Sequence, residues 1–125
     1  MGTAMLNPEV FEKAADLIKE RGHTKGVYVD SEGCVCTLGA LGVTLGVKFV
    51  HKSFDPNPHP EHFSLDLMNY GEYLGEFFKD WEGRNGWSFV HVWNDDDDTT
   101  SEDAQRLLRE CAEDIREENA RWHSE

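Results

Sequence analysis

Three side chains have the types needed for acyl transfer: Cys36, His91 and Asn94. A thiol at a helix entrance can lose its proton more easily beside backbone N–H groups, so Cys36, just before Thr37-Leu38-Gly39-Ala40-Leu41, is a candidate nucleophile with His91 as its base. Asn94 would then orient the imidazole. The local pattern argues against this, because Trp87, Phe89, His91 and Trp93 alternate with smaller residues as in a strand. A regular strand sends His91 and Asn94 to opposite faces. Buried, unreactive cysteine is also the commoner state, so no catalytic residue is favoured and the thiol hydrolase stands as the alternative.

Metal chemistry finds weaker support. A calcium loop begun at Asn94 would place oxygens at Asp96 and Asp98, but its required glycine falls on Thr99 and its bidentate acid on Gln105. His51, His59 and His62, with Cys34 or Cys36, contain the atoms of a zinc site without any CxxC or HExxH spacing. No metal or other cofactor is expected.

The run Asp95 to Asp98, with Glu102, is the candidate binding surface. Carboxylates spaced along an outward face can imitate a nucleic-acid backbone. A structural role competes: acids before and within a first helical turn favour the helix dipole, and Thr100 with Asp103 three residues later makes an approximate capping box. Glu102 with Arg106 and Glu117 with Arg121 have the favourable i, i+4 order. Trp93 and Asn94 complete this structural motif, the Trp anchoring the core and the Asn side chain closing the turn, with Thr99 or Thr100 as cap.

These residues need elements to hold them. Asn7-Pro8-Glu9 is a helix start, and Val10, Phe11, Ala14, Leu17 and Ile18 follow at helical spacing until Gly22. Residues 27–36 predict a hairpin turning at Asp30 to Gly33. Gly39, Gly42 and Gly46 among apolar residues predict a short buried helix. Residues 48–63, with three prolines and three histidines, predict a loop. Leu67, Tyr70, Leu74, Phe77, Phe78 and Trp81 form a helical stripe ending near Gly83 and Gly86, Trp87 to Asn94 predicts the third strand, and Ala104, Leu107, Leu108, Cys111 and Ile115 line a last helix whose buried side is expected to extend to Trp122.

The 125 residues suit one domain spanning 1–125, with 95–125 as its acidic C-terminal helix region. Twelve basic and twenty-five acidic residues give a net charge of −13, with −8 of it from Asp95 onward. Such a field repels polyanions, so direct nucleic-acid binding is not expected. No apolar run approaches the roughly 18 residues that span a bilayer, and three cysteines, an odd count, fit a reducing cytoplasm.

The hairpin running into Cys34-Val35-Cys36-Thr37-Leu38-Gly39-Ala40-Leu41, then Trp93-Asn94-Asp95 followed by a Thr and an Ala/Leu helix, resembles a family of small actinobacterial and actinophage proteins known only as a domain of unknown function. The likeness runs from the first helix to about Asp114, and the proline-rich loop and long aspartate run depart from it. It carries over no catalytic residue and implies a bacterial or phage origin with a compact α+β fold. The reading is therefore an α+β domain, two or three antiparallel strands against three main helices. Its expected role is noncatalytic: a cytoplasmic accessory protein that binds another protein, with self-association open.

Overall fold

The computed structural model of the protein describes residues 6–52, 55–62, 64–76 and 87–123, without the side chains of 51, 52, 55–59, 87–89, 91, 122 and 123. The element order is α1 (Pro8–Arg21), α2 (Thr37–Thr44), β1 (Phe49–Lys52), β2 (Asp55–Pro60), α3 (Leu65–Gly75), α4 (Trp87–Asp95) and α5 (Ser101–His123). The described chain is mainly helical. This overturns the α+β expectation of two or three antiparallel strands packed against three main helices: the described residues form five helices, and neither residues 27–36 nor 87–94 supply a sheet.

α1 begins as its sequence dictates. The Asn7 side chain accepts the Glu9 N–H at 2.9 Å, and Pro8 occupies the first turn, where a missing N–H costs nothing. Gly22, at φ +101°, ends the helix while its N–H still reaches the Ile18 carbonyl at 2.9 Å. Phe11, Ala14, Ala15 and Ile18 are buried, and the helix lies along α5, which contributes Ala104, Leu108, Cys111, Ala112 and Ile115. Alanines on both sides let the two axes approach closely. Phe11 also meets the rings of Tyr70 and Tyr73 at 5.2 and 5.8 Å, joining α3 to the same core.

The expected hairpin of residues 27–36 keeps its turn and loses its ladder. Asp30 Oδ1 accepts the N–H groups of Glu32 and Cys34, both at 2.9 Å, and Gly33 takes a φ of +90°. Pairing is limited to single bridges, with Val35 between His23 on one side and Val29 on the other. The chain then enters α2, a buried helix as predicted. A Cβ on Gly39 would stand 2.0 Å from the Tyr28 carbonyl oxygen, so α2 lies against residue 28 at a distance only glycine allows.

Residues 48–63 are not wholly a loop. β1 and β2 pair antiparallel, Phe49 with Pro60, Val50 with His59 and Lys52 with Asp55, the register shifting between Val50 and Lys52. Proline is tolerated because β2 is an edge strand.

Trp87–Asp95, expected as strand three, is helix α4. Val90 is 0 % exposed and Val92 54 % exposed, whereas a strand would put both on one face. Val90 and Asn94, four residues apart, share the buried side of the helix, which packs on α3 and α2. Burial on a helical face outweighs the β preference of the aromatic and branched residues. Phe77, Phe78, Trp81, Gly83 and Gly86 lie outside the described residues, as does the Trp122 side chain; α3 is seen to Gly75.

Candidate functional site

The C-terminal end of α4 carries a buried polar node. Asn94 is 1 % exposed, and its Oδ1 accepts three bonds: from the Thr37 N–H at 2.9 Å, the Thr37 hydroxyl at 2.6 Å and His23 Nε2 at 2.8 Å. The backbone N–H can only donate, which fixes the amide orientation and requires the proton of His23 to sit on Nε2. Asn94 Nδ2 donates to the Thr24 carbonyl at 3.2 Å and to Asp95 Oδ1 at 3.0 Å. One side chain thus joins the end of α4, the first turn of α2 and the segment after α1. Sequence reading had singled out Asn94 but not His23, Thr24 or Thr37, whose partners lie 57 to 71 residues away.

The aspartates divide into two pairs. Asp95 Oδ1 also accepts the Gly26 N–H at 2.9 Å, and the Asp96 carbonyl accepts from Lys25 Nζ. Asp96 Oδ1 accepts the Asp98 N–H at 2.9 Å and its carbonyl the Thr99 N–H at 3.1 Å, while the Thr99 hydroxyl donates to the Trp93 carbonyl at 2.7 Å. Asp95 and Asp96 therefore shape the turn. The carboxylates of Asp97 and Asp98 make no bond to the described residues and face water. α5 then opens with the expected capping box: the Asp103 N–H donates to Thr100 Oγ1 at 3.1 Å, and the Thr100 N–H to Asp103 Oδ2 at 3.0 Å. Those bonds hold the Asp103 carboxyl below its ordinary range.

Two of the four arginines of α5 reach α1 and two pair within α5 itself. Arg116 makes a forked bond to Glu12 at 2.6 and 2.9 Å, and Arg109 meets Asp16 at 3.0 Å. Arg106 pairs with Asp103 at 3.8 Å, not with Glu102, and Arg121 pairs with Glu118 at 3.3 Å. Glu102 lines an open hollow of about 520 Å³ beside Arg106, Arg109, Glu113 and Arg116, where the two signs of charge are interleaved.

Cys36 and Asn94 lie in neighbouring parts of this node, but not as a nucleophile and its orienter. The Cys36 thiol is 2 % exposed and accepts the Gly39 N–H at 3.2 Å as the cap of α2. Burial pushes its pKa up to about 11, outweighing the lowering by the Gly39 and Leu38 N–H groups. His91 falls on α4, three residues before Asn94, and its side chain lies outside the described residues. Cys34 and Cys111 are also free thiols, both pushed upward, chiefly by burial.

Among the described residues, no three His, Cys, Asp or Glu side chains gather to hold a metal ion. His62 is exposed beside Glu61 at 3.6 Å, and the side chains of His51 and His59 lie outside the described residues. No described helix is long and apolar enough to cross a membrane.

The described residues thus form a mainly helical fold around a hydrogen-bonded polar node centred on Asn94. The family model described as a family of unknown function, DUF6197, matches residues 4–114, and the chain belongs to that family. Neither a curated protein nor a solved structure matches it.

Proposed function

We propose that the chain is a noncatalytic accessory protein of actinobacterial or actinophage source, acting in the cytoplasm by binding a host or phage protein through the turn between α4 and α5. The observation that carries this reading is the division of the aspartates. Asp95 and Asp96 bind the turn to the rest of the molecule, and Asp97 and Asp98 are exposed, with carboxylates that no described residue bonds. A turn fixed from behind loses little freedom on association, which favours binding. Val92, 54 % exposed on the adjoining helix, adds an apolar contact beside the charges. A partner surface rich in Lys or Arg is the complement, and its capture weakens with salt.

The test is affinity purification from host cells with the wild-type chain and an Asp97→Asn/Asp98→Asn variant. A stoichiometric protein companion lost with the variant and with added salt is expected. Equal recovery on both baits, or a reproducible turnover product in place of a companion, would overturn the reading.

A further inference from the structure

We draw no further inference here: the strongest candidate, the open hollow of about 520 Å³ along α1 and α5, interleaves Arg106, Arg109 and Arg116 with glutamates of both helices, two of these arginines are already bonded to α1, and nothing in the structure shows what covers it.

Discussion

Replacing Asn94 by Ala removes an acceptor of three bonds and a donor of two. Thr37 suffers most, because it is 0 % exposed and water cannot reach its N–H. An unsatisfied buried donor costs about 1–3 kcal/mol. His23 and Thr24 are only half-buried and recover part of their loss from solvent, adding about 1 kcal/mol between them. The sum is roughly 3 kcal/mol, a large part of the 5–15 kcal/mol typical of a domain. Urea denaturation followed by far-UV circular dichroism measures it, with an unchanged m-value showing that the same surface is exposed. Thr37→Val removes only the hydroxyl donor and should cost about 1 kcal/mol. In the double variant the two effects should fall short of their sum, since both cut the Thr37 to Asn94 bond. An Asn94→Ala loss below about 1 kcal/mol, or strict additivity with Thr37→Val, would refute the idea that this node locks α2 to α4.

Gly39→Ala should be severe, roughly 3 kcal/mol or more by the same denaturation assay, because the new methyl meets a backbone oxygen and not a movable side chain. Thr100→Ala should cost about 1 kcal/mol through loss of the α5 cap. It should also flatten the acid limb of the stability curve: the Asp103 pKa is lowered in the folded state, so its contribution is present above the unfolded value and disappears as pH falls through the folded one. Iodoacetamide alkylation mapped by mass spectrometry should leave native Cys36 unmodified at neutral pH and reach it only as pH approaches about 11, with half-buried Cys34 reacting earlier. Rapid neutral-pH labelling of Cys36 would contradict its burial.

Helix ends were the most legible part of the chain. Asn7-Pro8 and Thr100 with Asp103 do in the structure what their types and spacing predict, because caps are local chemistry. The α4 segment misled because aromatic residues at every second position match a strand, while the residues deciding its period are Val90 and Val92, identical in sequence and opposite in burial. The prolines of β2 read as a loop because the edge position that tolerates them is a tertiary fact. At the candidate site, Asn94 and the aspartates were visible as types. That Asp95 and Asp96 hold the turn while no described residue bonds the carboxylates of Asp97 and Asp98 was not, since Lys25 and Gly26 approach from about 70 residues away. His23 gave no signal, being a lone residue after a helix-ending glycine.

The Asn94 node also bears on synthesis. His23 and Thr37 leave the ribosome long before Asn94, 71 and 57 positions later, and Glu12 waits 104 positions for Arg116. The nascent amino-terminal half therefore lacks the partners of its buried donors and of the α1 face, and it cannot lock into place as it emerges. Asn94 and Arg116 must both have left the ribosome before these long-range contacts close.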